Sequence, residues 1–357
     1  MTENNSDDVV IFSESVLFDL LPSFYMYAGQ GIALACINLL IVLAVLRFHA
    51  LRKKKEYLIL AGLAFSDTIS AFGFLLAGVG RSTLIVTGYG SYLVTKLGCF
   101  LTPWNLCFVF DEQSNPFFLF IVSLDRFFAV AIPTKHFKFK RNYAMRMVGA
   151  ACVPGILGEL TVFLGVVQTY WGPPNRPAIC YTSFAYTDWY NVYLYYQKIT
   201  VTSMSIVLYV IILIVYRRRK TQVAETGGNN AYQQHLKLQR KLLITVGLSC
   251  LCTLLFVILP LIVKLIVYDV FEDDHPVRAY IVPAVGVLQN FNPAMNLVIY
   301  ARRHQDVRLG VKHLLLCRNL NQSILDQHAS SKTATKASTK RVTAQPAENN
   351  QVLAEVG

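Results

Sequence analysis

Apolar residues along this chain gather into long runs rather than into the stripes of a soluble fold, and seven runs are long enough to cross a hydrocarbon layer. They cover about residues 24–46, 57–80, 97–128, 147–168, 190–216, 242–268 and 279–300. A layer about 30 Å thick needs roughly 20 helical residues, which each run supplies. Asp111, Glu112 and Asn115 interrupt the third run, and Pro283 and Pro293 break the seventh. Both can stay helical because neighbouring spans satisfy freed backbone groups. The pattern predicts an all-α membrane protein, a seven-transmembrane helix bundle over 24–302 behind an N-terminal segment 1–23. The first run lacks a short core and a small-residue cleavage site, so it reads as an uncleaved anchor. Residues 303–318 mix basic and apolar positions and predict a short amphipathic helix in the interface. From 319 to 357 the chain is too polar to pack and is expected to be a disordered tail.

Charge sets the orientation. Only 15% of residues are charged, yet the net charge is +12. Most Lys and Arg sit in alternate connections: Arg47 to Lys55, Arg126 to Arg146, Arg217 to Lys241, and from Arg302 onward. Nucleic acid is not the expected partner, because the basic residues flank spans instead of forming one surface. The positive-inside rule puts those connections in the cytosol and the N-terminus outside, the arrangement of a multi-pass protein of the plasma membrane. Asp7, Asp8, Glu14, Asp19 and the acidic stretch Asp269 to Asp274 then lie outside. Asn4-Asn5-Ser6 is a glycosylation acceptor on that side. Eight Cys without a CxxC pair indicate neither a zinc site nor a disulfide scaffold. Cys317 reads equally as a palmitoylation site or as a membrane-proximal thiol.

Polar side chains inside the spans require a reason, since each is costly in hydrocarbon unless paired or hydrated. Counting at ~1.5 Å per residue from the basic ends puts Asn38 roughly 13 Å, Asp67 about 18 Å and Asn115 about 16 Å deep. Asn292 and Asn296 come at about 15 and 9 Å. A carboxylate among amides is what a water- or cation-filled cluster requires, whereas amides that merely glue helix pairs are the plainer reading. One cluster centred on Asp67 is favoured. No cofactor is expected beyond a sodium ion that this cluster could take.

These residues carry a resemblance. Asn38 in the first span, Leu63 to Asp67 (LAFSD) in the second, Asp125-Arg126-Phe127 (DRF) ending the third, and Asn292 to Tyr300 (NPAMNLVIY) in the seventh resemble the signatures of rhodopsin-like G-protein-coupled receptors. Cys99-Phe100, Gln113-Ser114 and the approach to Asp125 further resemble nematode serpentine chemoreceptors of the SX type. The resemblance implies that Arg126 pairs with Asp125 at rest and meets a heterotrimeric G protein when active, with Tyr209 and Tyr300 swinging toward it. It also implies a Cys99–Cys180 disulfide on the outer side, and Pro260 as part of the sixth-span switch. The sequence departs from the pattern in several places. Ile258 stands where an aromatic precedes Pro260, Leu297 where the seventh span carries proline, and Arg240 where an acid would face Arg126. The fourth-span tryptophan and fifth-span proline are missing.

The ligand site stays open at this level. Asp111 and Glu112 read as a counter-charge for a cationic ligand, as an extension of the Asp67 cluster, or as partners of Lys264 or Lys198. Trp189, Tyr190, Tyr193, Tyr195 and Tyr196 read as an interfacial belt or as a ligand-lining wall. The expected function is a receptor, chemosensory by its resemblance, that answers an extracellular small molecule or peptide. The alternatives are a transporter or channel, for which no internal repeat speaks, and a pseudo-receptor that does not couple. No HExxH, GxSxG or phosphate loop suggests an enzyme.

Overall fold

The apolar runs fold as helices Glu14–Arg47, Lys55–Val86, Pro103–Ala131, Arg141–Val167 and Asp188–Glu225, with the sixth run helical through Gly247–Val267. All six are long and apolar enough to cross a membrane. The seventh run is two stacked pieces, Pro276–Gln289 and Phe291–Arg303. This computed structural model describes residues 13–168, 173–225, 244, 247–270, 276–303 and 305–321. The predicted Asn4 acceptor, Arg240, most of the tail and the Tyr300 side chain lie outside the described residues. The helices are numbered below as spans one to seven.

Two distortions share one cause. Proline lacks the N–H that would bond the carbonyl four residues back, so the helix opens one turn earlier. Pro260 removes the donor for Phe256, and Leu254–Ile258 is a π-turn. Pro293 removes the donor for Gln289, and span seven breaks at Asn290. Pro283, expected to break the same span, sits inside a continuous helix instead. Its carbonyl accepts a 3.0 Å hydrogen bond from the Tyr27 hydroxyl of span one.

Span three is the hub and packs against spans two, four and five, while span one lies along span two. The first pair approaches closely because glycine stands at the crossings. A Cβ on Gly31 would sit 2.8 Å from the Ala71 carbonyl oxygen, and one on Gly78 would sit 2.6 Å from that of Phe24. Small residues at helix contacts supply packing where no hydrophobic drive exists between helices in lipid. Span four instead turns Ile156, Leu157, Leu160 and Leu164 outward, the face a lipid-bathed helix presents.

One end of the bundle is tied by a disulfide between Cys99 and Cys180, as the resemblance implied. A short antiparallel ladder pairs Leu93–Val94 with Arg176–Pro177 beside it. The Cys180 carbonyl accepts from Arg81 Nη2 at 2.9 Å, Trp104 Nε1 at 3.3 Å and Asn105 Nδ2 at 3.3 Å. Three residues of spans two and three thus hold the loop that follows span four.

The other end carries the basic residues. Pro133 disfavours helix at Ile132, where φ is −134°, and restarts it at the first position of Pro133–Lys138. Helix Gln305–Leu315 follows span seven, close to the predicted amphipathic segment, and Asp306 anchors it to Lys54 at 2.7 Å and Tyr57 at 2.9 Å. In the turn after Leu315, Cys317 takes a left-handed φ of 50° and is exposed.

Candidate ligand cavity and inner switch

The predicted polar slab resolves into two knots. In the first, Asn115 Nδ2 donates to Asp67 Oδ1 at 3.1 Å and to Asp111 Oδ1 at 3.4 Å, and Ser66 Oγ donates to Asp111 Oδ1 at 2.9 Å. In the second, Ser249 Oγ donates to Asn296 Oδ1 at 2.5 Å and Thr253 Oγ1 donates to Asn292 Oδ1 at 3.1 Å. The knots join spans two to three and six to seven. Asn115, Asp111 and Asn292 line one inner chamber between them, together with Ser70, Thr202 and Pro293. Asn38, expected in the cluster, donates to Leu34 O of its own helix at 3.1 Å, and among the described residues no hydrogen bond joins it to Asp67. It occupies the right depth but turns a different way. Asp111 takes its place, and the i+4 spacing to Asn115 already put the two on one face.

A second chamber lies toward the disulfide end. Its walls include Tyr27, Arg81, Phe108, Glu112, Tyr181, Tyr186, Tyr195, Lys198 and Lys264, and it shares Phe74, Phe108, Glu112, Lys198 and Gln289 with the inner one. The two are adjacent chambers that share these walls beside span three. Glu112 accepts from the Tyr186 hydroxyl at 3.0 Å. Burial and that carboxylate hold the Tyr186 phenol well above its ordinary pKa, so it stays a donor. Lys264 Nζ stands 5.1 Å over the Tyr195 ring. Trp189 and Tyr193, expected as ligand-lining residues, do not line the cavity. They are 58% and 48% exposed, on the stripe of span five that Tyr196 continues outward. Tyr190, one position off that stripe, is buried and accepts from Gln113 Nε2 at 2.8 Å.

At the basic end Asp125 and Arg126 form the expected pair, with Arg126 Nη2 3.3 Å from Asp125 Oδ2. The structure adds a partner that the sequence reading missed. His136 Nε2 lies 3.0 Å from Asp125 Oδ1, and Lys55 Nζ donates to the His136 carbonyl. Asp125 is fully enclosed, and its second contact arrives from the short helix that Pro133 starts. Tyr209 packs with Val130 and Ile212 near this end, and Pro260 is buried one turn above the π-turn's centre.

Two buried polar knots, a chamber toward the disulfide end that adjoins the one between them, and an Asp-Arg pair at the other end now stand on one helical bundle. The family profile described as "7 transmembrane receptor (rhodopsin family)" matches residues 37–300. The chain belongs to this family. It is therefore a multi-pass membrane receptor, with span seven supplied by the two stacked pieces. Trace amine-associated receptor 8b of Rattus norvegicus is 24% identical over 306 residues, which cover 82% of this chain and 85% of that protein. Octopamine receptor beta-2R of Drosophila melanogaster is 28% identical over 140 residues, 39% of this chain and 25% of that one. Both relatives are receptors by description, and neither is an enzyme. The finer resemblance to nematode serpentine chemoreceptors is not confirmed by these matches.

Proposed function

We propose that this receptor carries ligand binding from outside the plasma membrane to a heterotrimeric G protein in the cytosol, in a chemosensory setting. The basic connections face the cytosol and the disulfide end faces outward, as the positive-inside rule requires. The observation that carries the reading is that Glu112, in the cavity wall, and Asp125-Arg126, at the basic end, belong to one helix, Pro103–Ala131. They stand about 20 Å apart along it. A ligand that binds one arrangement of that helix more tightly shifts the population at the far end, without covalent chemistry by the receptor. Tyr209, Pro260 and Tyr300 are the other parts of the proposed switch. Cys317, exposed after the last helix, is the proposed palmitoylation site, and Asn4 the glycosylation site.

A screen of candidate ligands read by second messengers tests this proposal. Arg126→Ala is expected to reach the surface in normal amount and to lose at least nine-tenths of ligand-driven signal. Normal signalling by that variant would overturn the coupling role. Ligand-driven substrate flux into vesicles lacking any G protein would favour a transporter instead.

The inner chamber is the proposed seat of a sodium ion. The donor set fits: Asp111 lines the chamber with the hydroxyl-bearing Ser70 and Thr202, and Asp67 and Ser66 stand behind that wall, bonded to Asn115 and Asp111. Hard monovalent cations favour such oxygen donors, and an ion there would offset the charge of paired acids. Exchanging sodium chloride for choline chloride is expected to lower the unfolding midpoint of the wild-type receptor and to leave Asp67→Asn unchanged. Equal midpoints in the two salts for the wild type would refute the ion.

A further inference from the structure

Both relatives are named for amines, which are cations at neutral pH, and an amine entering this cavity would meet the wrong sign of charge. Among the described residues lining the outer chamber, Arg81, Lys198 and Lys264 carry positive charge and Glu112 alone carries negative charge. Arg81 decides the matter. The residue is 2% exposed, and its guanidinium donates to the Ile179 and Cys180 carbonyls at 2.8 and 2.9 Å and lies 5.1 to 5.9 Å from the rings of Tyr181, Phe24 and Trp104. Among the described residues no carboxylate lies within 4.0 Å of it. A buried cation held only by carbonyls and ring faces leaves most of its charge uncompensated, and low-dielectric walls carry that field into the cavity. Span five and span six add Lys198 and Lys264 across the space, while Glu112 is already engaged by the Tyr186 hydroxyl. Asp111, an acid of the adjoining chamber, is bound into the knot with Ser66 and Asn115 and shares that chamber's wall with Lys198.

We infer that the outer chamber binds a compact aromatic carboxylate, its anionic group held by Lys198 and Lys264 under the field of Arg81 and its ring against Phe74, Phe108 and Tyr195. Neutral or cationic ligands gain the aromatic contacts but lose the charge pairing. The rings explain the second half of the specificity. Phe74 and Phe108 stack edge-on with centroids 4.8 Å apart, and Tyr27 meets Phe74 edge-on at 4.9 Å. Such edges and faces accept a flat ring in offset or T-shaped contact. This inference rests on the reading of the cavity as the receptor's ligand site and names the class of ligand.

The test uses the purified full-length receptor in nanodiscs. Phenylacetate and 3-phenylpropionate are set against 2-phenylethylamine and octopamine, and thermal unfolding reports binding. The two acids are expected to raise the unfolding midpoint and the two amines to leave it unmoved. Lys198→Gln and Lys264→Gln should each weaken the acids roughly 10-fold or more, as loss of a charged hydrogen bond does. Lys264→Arg should retain binding, and Glu112→Gln should tighten it. Lys96→Gln, outside the cavity, serves as the control for folding and should bind like the wild type. Stabilisation by the amines and not the acids would overturn the assignment, as would an acid effect that survives both Lys→Gln changes, or no effect of any probe at millimolar concentration. Nucleotide exchange on added heterotrimer is read separately. Acids that bind without promoting exchange would leave the ligand class standing and count against the coupling proposal alone.

Discussion

Replacing Cys99 by Ser is expected to remove most folded receptor from the cell surface. The bond closes a loop between residues 81 apart in sequence. For a loop of that length the chain-entropy account gives about 4.5 kcal/mol, and about 2 is a safer lower figure because inserted helices already restrict the unfolded chain. The larger consequence is positional. Cys180 presents its carbonyl to Arg81, Trp104 and Asn105 at once, and Tyr181, Thr182 and Ser183 follow it directly as part of the cavity wall. Freed of its tether, this segment would leave buried donors on Arg81 and Trp104 without their acceptor, at about 1–3 kcal/mol for each group left unpaired. Surface immunolabelling and the unfolding midpoint of the purified protein check it. Cys36→Ser, at an exposed position without a bond, is the control and should match the wild type. A Cys99→Ser receptor that reaches the surface and unfolds like the wild type would show that the three donors alone hold the loop.

The spans were legible because a bilayer demands long apolar runs, and that demand overrides local propensity. Boundaries were less so. Span one begins at Glu14, well ahead of the apolar run from 24, since a helix continues for as long as neighbouring helices cover it, and Leu17 and Leu20 are covered. Span three splits the other way: Lys96–Phe100 is a separate turn ended before Pro103, which starts the long helix at its first position. Which proline would open span seven was not readable from the run itself. Pro283 and Pro293 have the same local chemistry, and only the stacking of Gly286 and Pro283 against Tyr27 distinguishes the first.

Depth was legible and rotation was not. Counting residues from a basic end ranks Asp67, Asn115 and Asn292 at one level, where the structure brings Asn115 and Asn292 round a shared chamber with Asp111 and joins Asp67 to it through the Asn115 amide. The same count admits Asn38, whose amide turns back to Leu34. A helix advances 100° per residue, so one position of error in register moves a side chain from cavity to lipid. Trp189 and Tyr193 failed for that reason, and Tyr195 and Tyr186 line the wall instead. His136 escaped notice because its contact with Asp125 crosses a chain turn set by Pro133, and nothing in the spacing marks it apart from that proline.

Asn115→Leu tests the buried cluster most directly. Leucine keeps the four-heavy-atom branched outline of the side chain, though not its volume, and removes the one Nδ2 group that donates to both Asp67 and Asp111. Two carboxyl groups would then face each other across span two and span three, with Ser66 and Ser70 as the remaining hydroxyl donors to Asp111. Leaving a buried polar group without its hydrogen-bond partner typically costs about 1–3 kcal/mol, more where the group is charged, and here two carboxyl groups lose one donor at once. The unfolding midpoint of Asn115→Leu in nanodiscs should fall accordingly. Asp111→Asn added to the same variant should recover much of the loss, since it removes one acid and supplies an amide at the neighbouring position. That recovery separates an electrostatic origin from a packing one: a mere misfit of leucine would leave the double variant as unstable as the single. A wild-type midpoint in Asn115→Leu would mean that the two acids do not depend on the amide between them, and the proposed ion site would lose its organising residue.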